Sequence, residues 1–300
     1  MLLPRTGCTL VRDGREACGG RVLDSAVVVD GDVTVRELAG VQEMTAASTL
    51  WDTIWARALP PGSVDAAHEV DPSLMVALSH AGGYVAGAFV DQAMIGAALG
   101  FWGSPAYGAL HSHITGVLPA HAGQGVGSLI KTHQRDWVLA RGGSAITWTY
   151  DPLVSRNAHF NLNRLGARPE SYLLDLYGEL ADDLNRGDPS DRMLVRWDLT
   201  TSPPPASSKP AMALVLDREG APAVGLTIGD LDPATPLTVA VPDDITALRR
   251  HDPATASLWR LAVREALVPL VDRGWSVSGF DRTHGYRVEP PPHPTSADAR

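Results

Sequence analysis

The sequence predicts an α/β (α+β) fold: a mixed, mostly antiparallel central sheet flanked by helices, with a further α+β region appended at the C-terminal end. Three observations predict it. A strand, a glycine turn and an amphipathic helix follow one another from Leu110 to Trp137. Two apolar runs, Tyr84 to Val90 and Ala93 to Trp102, flank Asp91-Gln92 as the arms of a hairpin. A second strand–helix pair follows, Ser144 to Tyr150 and then Ser155 to Ala167.

Taken in order, residues 1–30 read as a partly flexible leader with a strand at Ser25 to Val29. Thr34 and Glu37 have capping-box spacing, so a helix is expected from Thr34 to about Leu59, with Trp51, Ile54 and Trp55 on one face and Pro60-Pro61-Gly62 ending it. Leu74 to His80 is a short element before the Ala81-Gly82-Gly83 turn and the hairpin. Leu110 to Leu118 alternates as a strand. After the glycines, Val126, Leu129, Ile130, His133 and Trp137 fall on one helical face. Ser144 to Tyr150 is rich in β-branched and aromatic residues; Asp151-Pro152 turns the chain, and Ser155 is the expected N-cap of a short helix ending at Gly166.

Residues 201–210 form a Pro/Ser linker, and 211–289 an α+β extension. Its strands are expected at Ala211 to Leu216 and Leu237 to Val241. Its helix begins with Asp252 as N-cap and Pro253 at the first position, and Pro269 should kink or end it. A strand with a turn at Asp281 to Gly285 follows, and residues 290–300 read as a disordered tail.

Composition narrows the function. With 44% hydrophobic residues the chain can bury a core, and no stretch reaches the run of about 18 apolar residues that a membrane helix needs. The first residues lack a signal-peptide pattern. Cys8 and Cys18 have no ligand spacing, so no metal is expected, and free thiols in a cytoplasmic chain are the plain reading. A net charge of −9 with no basic block argues against nucleic acid.

The glycine turn carries the sharpest signal. Gly123, Gln124, Gly125, Val126 and Gly127 would bring bare backbone and a helix N-terminus together, an arrangement suited to phosphate. The loop has no Gly-Lys-Ser/Thr and so is no P-loop, and it lacks the third glycine of a dinucleotide fingerprint. Val117-Leu118-Pro119 followed by Ala122-Gly123-Gln124-Gly125-Val126-Gly127 resembles the pyrophosphate loop of the GNAT superfamily of acyl-CoA N-acyltransferases, whose pattern is Arg/Gln-x-x-Gly-x-Gly/Ala. Ala122 stands where that family has Arg or Gln. A ligand-free glycine turn is the plainer alternative.

Further motifs resemble a longer branch of the same superfamily: Ser112-His113, Trp148-Thr149-Tyr150-Asp151-Pro152-Leu153, Asn157-Ala158-His159-Phe160-Asn161, Leu165-Gly166-Ala167, Tyr177-Gly178 and Pro189-Ser190-Asp191-Arg192. The resemblance covers residues 31–200 and implies a transferase domain there. It implies an acyl-CoA donor, acetyl-CoA or succinyl-CoA, held by Val117 and the 123–127 loop, and a small-molecule amine acceptor such as an amino acid. It leaves room for a homodimer. The tyrosine that protonates the departing thiolate in the family falls on Leu162, a departure that also leaves open a non-catalytic acyl-CoA sensor.

Candidate side chains follow from the chemistry of acyl transfer, which needs a neutral amine, a polarised carbonyl and a proton for the thiolate. Alternation would place His111, His113, Thr115 and Val117 on one strand face, with His113 as base. Asp151 is a second base candidate, or a turn cap. Tyr177, or Tyr172, could replace the missing acid; either could equally be a packing residue. Asn157 and Asn161 could hold the donor's amides, or cap their helix. Arg156 and Arg192 could pair with a carboxylate of acceptor or acyl group, or with a structural acid.

Overall fold

In the order of the chain, the computed structural model describes residues 27–29, 33–55, 68–178, 188–201, 212–214, 221–223 and 235–291; the leader with Cys8 and Cys18, Pro60 to Gly62, most of the linker and most of the tail lie outside the described residues. Strands β1 (Val27–Val29), β2 (Val33–Glu37), β3 (Tyr84–Val90), β4 (Ala93–Trp102), β5 (Ala109–Val117), β6 (Ala145–Tyr150), β7 (Arg168–Leu173) and β8 (Arg192–Asp198) form one sheet in the order β1-β2-β3-β4-β5-β6-β8-β7. Every neighbouring pair is antiparallel except β5 and β6.

Helices α1 (Gly40–Trp55) and α2 (Pro72–His80) cover one face of β3 to β5, and α3 (Val126–Ala140) covers the other. Under α1 the strands must be thin. A Cβ added to Gly116 would come within 3.0 Å of Trp51 and Trp55 and 2.8 Å of Ile54. That fit lets Trp51 bury completely while its indole N–H reaches the Ala97 carbonyl at 3.3 Å. Burial of so large a side chain contributes about 1.5–3 kcal/mol.

Beyond β8 lie β9 (Met212–Leu214), β10 (Leu237–Val239), α5 (Ile245–His251), α6 (Pro253–Asp272), β11 (Ser276–Asp281) and β12 (Gly285–Glu289), whose strands form a second sheet in the order β11-β12-β10-β9. Ala262 and Leu267 of α6 and Tyr286 and Val288 of β12 belong to the same core cluster as Ile130, Trp148 and Leu162. No helix among the described residues is long and apolar enough to cross a membrane.

Several sequence expectations need correction. Thr34 to Glu37 is strand, because Val33 and Val35 alternate with polar residues and Val35 is fully buried against β3; the helix starts at Gly40, where Glu43 accepts the Ala39 N–H at 2.7 Å. Val154, not Ser155, occupies the N-cap of α4 (Ser155–His159), which continues as a π turn over Phe160–Arg164. Pro269 ends nothing: α6 runs on to Asp272, since only the last turn has to do without its N–H. Strands β7 and β8 and helix α5 were not expected from the sequence.

Candidate active site

The site begins at the parallel pair. β5 and β6 are in register only at Ala109 with Ala145, Leu110 with Ile146 and His111 with Thr147. Beyond that, Ser112 and Ile114 to Val117 pair with β4 alone and Trp148 to Tyr150 with β8 alone, so the two strands part as a fork. Six residues of β5 run past the vertex, about 20 Å of strand at 3.3 Å per residue. Among the described residues, peptide groups facing into the fork have no strand partner, and they suit a ligand that carries amides along its length.

At the far end of β5 stands the glycine loop. Gly123 and Gly125 have φ of 78° and 87°, and a Cβ on Gly123, Gly125 or Gly127 would meet nothing within 4 Å. Gly125 is the N-cap of α3, and no side chain among the described residues caps that helix. The helical ladder opens with Leu129 N–H to the Gly125 carbonyl at 3.1 Å, so the N–H groups of Val126, Gly127 and Ser128 precede the ladder at the helix N-terminus. Gln124 folds back onto the Ala120 carbonyl at 3.0 Å. Bare, positively polarised backbone in open space fits a pyrophosphate.

The expected common face for His111, His113, Thr115 and Val117 does not form. The register slips between Leu99 and Gly100, which pair with Ile114 and Ser112, so His113 is an extra residue in β5, a β-bulge. Thr115, opposite Ala98, therefore lies toward the α3 core, as does Val117, whereas His111 lies on the other face against Phe101 and Thr147. His113 is exposed, with its ring 5.9 Å from Phe101. Desolvation lowers both histidines; His111 falls to about 4, helped by His113 and Lys131, so both imidazoles are neutral at pH 7. The bulge also takes a peptide group out of the ladder at the vertex.

Tyr177 reaches the same open face. Its hydroxyl lies 3.2 Å from Thr149 Oγ1 on β6, and its N–H donates to Ser190 Oγ at 2.8 Å. Arg192 on β8 lies 5.5 Å from the Tyr177 ring and donates to the Asp191 carbonyl at 2.9 Å. Arg156 is exposed on α4 and does not join them. Asn157 is half-buried on α4 and Asn161 is buried in the π turn. Leu162 is 2% exposed in the core, so no hydroxyl comes to the fork from that position.

Asp151 takes a different part from the one expected of a base. Arg249 Nη2 donates to its Oδ2 at 2.7 Å, and Arg260 contacts both oxygens at 2.9 and 3.0 Å. Burial pushes its pKa up, but the two guanidinium groups override that and hold the carboxyl well below the carboxylate range. Such an acid takes no proton near neutrality. Both arginines also reach Asp188, while Arg264 binds Asp191, which accepts the Tyr172 hydroxyl at 2.9 Å and the Asp175 N–H at 3.0 Å. The helices α5 and α6 thereby hold the end of β6 and the turn that carries Tyr177. Tyr172 is pushed far up, by burial first and then by Asp191, and keeps its proton. Among the described residues no three His, Cys, Asp or Glu side chains are grouped to hold a metal.

Sequence reasoning missed Lys131, Thr147, Thr149, Arg249 and Arg260. Lys131 did leave a signal, since Lys131, Gln134 and Val138 extend the buried side of α3 next to Ile130 and Trp137.

No protein-family model and no curated protein matches the sequence. Solved structures overlap part of the chain. One, assigned to the GNAT family of acetyltransferases and from Desulfovibrio desulfuricans, is 18% identical with a TM-score of 0.44, covering 56% of this chain and 99% of that one. An acetyltransferase-type protein of Salmonella typhimurium, solved with its cofactor acetyl-CoA, is 15% identical with a TM-score of 0.45, over 59% and 99% of the two chains. The ribosomal-protein-S5-alanine acetyltransferase of Vibrio fischeri is 16% identical with a TM-score of 0.45, over 60% and 100%.

Proposed function

We propose that this protein is an acyl-CoA-dependent N-acyltransferase of the GNAT type that acylates the amine of a small molecule such as an amino acid. One observation carries the reading: β5 has a strand fork with a bulged vertex at one end and an open glycine loop on a helix N-terminus at the other. An extended donor with a pyrophosphate at one end, amides in its arm and a reactive thioester at the tip matches that layout piece by piece. Gly123, Gly125, Gly127 and the first N–H groups of α3 would hold the pyrophosphate, with Val117 and Gln124 beside it. The unpaired edges of β5 and β6 would hold the arm.

The amine then arrives from the open face, where His113 accepts its proton and the peptide freed by the bulge polarises the carbonyl. Tyr177 and Arg192 border that face, and Arg192 offers a charge to an acceptor carboxylate. Asn157 and Asn161 remain proposed partners of the arm's amides. Acetyl and succinyl groups both remain compatible with the donor. Thiol release measured over a panel of acyl-CoAs and amino acids tests the reading; folded protein that releases thiol from none of them contradicts it.

Leu162 favours a second reading, a sensor that binds acyl-CoA without turnover. Tight CoA binding by calorimetry with no thiol release would support it.

A further inference from the structure

Lys131 on α3 is 5% exposed. Its ammonium donates to Ser112 Oγ at 2.8 Å and to Gln134 Oε1 at 3.1 Å, and lies 4.2 Å from the centre of the Trp148 ring. Ser112 is the first β5 residue past the last register pair of the fork, and Trp148 is the first on β6. The ammonium therefore spans the fork at its vertex, from the α3 side. Its hydrogen-bonding partners among the described residues are neutral. A buried cation without a counter-charge weakens a fold, so its presence at the vertex points to a use.

The surrounding groups leave it room to titrate. β5 brings His111 and His113, of which His111 is pushed down to about 4, and β6 brings the Tyr150 hydroxyl, which burial pushes far up. From β2 and β3 come Glu37 and Tyr84, engaged with Trp137 and His133 elsewhere on α3. Desolvation lowers Lys131 itself to about 7, suited to a proton donor that works near neutrality.

We propose that Lys131, acting through Ser112, supplies the proton taken up by the thiolate that leaves the acyl donor. This rests on the acyltransferase reading. The amine nitrogen forms the C–N bond, and the C–S bond breaks with its electron pair on sulfur. Ser112 Oγ–H passes its proton to sulfur as a Lys131 N–H restores the hydroxyl, and Lys131 regains a proton from solvent. The proton lost by the amine leaves through His113. The pair takes over the task that a tyrosine at position 162 would perform, from the opposite side to Tyr177.

The test compares Lys131→Met, Ser112→Ala and Tyr177→Phe with the unaltered chain, each checked by thermal melt, over pH 6 to 9. The donors are acyl-CoA and an aryl thioester whose thiolate needs no proton to leave. With acyl-CoA, Lys131→Met and Ser112→Ala should lower kcat by about 100-fold or more and remove the fall in rate above pH about 7. With the aryl thioester both should stay close to the unaltered rate, and CoA affinity by calorimetry should hold. Equal losses on both donors, no loss, or removal of the falling limb by Tyr177→Phe instead would overturn the proposal. CoA binding and turnover that persist in the unaltered chain would then leave the acyltransferase reading standing; their absence removes both. Should Lys131→Met fail to fold, Ser112→Ala carries the comparison alone.

Discussion

Arg260 grips Asp151 with both terminal nitrogens, at 2.9 and 3.0 Å, across 109 residues of sequence. With Arg249 and Asp188 they form a buried group of two positive and two negative charges between the end of β6 and the C-terminal helices. The charges balance, so the group is tolerable as a whole and costly in part.

Arg260→Ala should therefore destabilise the protein by about 3–5 kcal/mol in urea titration, because it leaves two buried carboxylates to share Arg249. The acid side shows the sign. Asp151's folded pKa is depressed, so its contribution is present above the unfolded value of 3.8 and is lost as pH falls below it. In the variant Asp151 keeps only Arg249, so its folded value moves up toward 3.8 and its contribution shrinks, and the lower total stability moves the acid midpoint to higher pH; an unchanged acid midpoint would mean that Asp151 does not depend on Arg260.

Lys131 should show the opposite balance. Its pKa falls from 10.5 to about 7 on folding, through desolvation. Between those values the unfolded chain binds the extra proton, so stability rises with pH; below 7 the full penalty is present. Lys131→Met should raise the melting temperature at pH 6 by several degrees and by progressively less toward pH 10. A variant that melts lower at every pH would mean that the ammonium stabilises the fold.

Local patterns were legible and distant ones were not. The hairpin from Tyr84 to Trp102 was read to the residue, since its alternation and its turn lie within one stretch of chain. The Asp252-Pro253 start of α6 was read from its cap, and Asp252 does accept the Thr255 N–H at 3.1 Å. β2 was misread because two residues at capping-box spacing looked like a helix start, while the burial of Val35 against β3 decided for strand. β7 hides behind Pro169 and a bulge. In the candidate site, the loop was visible because glycine spacing is local. The fork, the bulge at His113 and the arginines on Asp151 depend on pairings that no local pattern encodes.

His113 lies at the bulge with its proton affinity lowered by desolvation, so it is neutral and able to accept a proton at pH 7. His113→Gln should lower kcat by about 100-fold or more and flatten the rise in rate on the acid side, below pH 6.5, with CoA affinity kept. A rise that persists in the variant would assign that limb to another group.

If the 123–127 loop holds the donor's pyrophosphate, Gly125 is the position where a substitution must show it. Its φ is 87° and its Cβ position opens onto empty space, so a side chain there disturbs no packing, although the conformation is strained for any residue but glycine. Gly125→Glu would put bulk and negative charge where the pyrophosphate should lie. Calorimetry with acetyl-CoA beside a thermal melt should show a folded variant that no longer binds. A folded Gly125→Glu protein that binds acetyl-CoA as tightly as the unaltered chain would mean that the pyrophosphate does not lie on this loop.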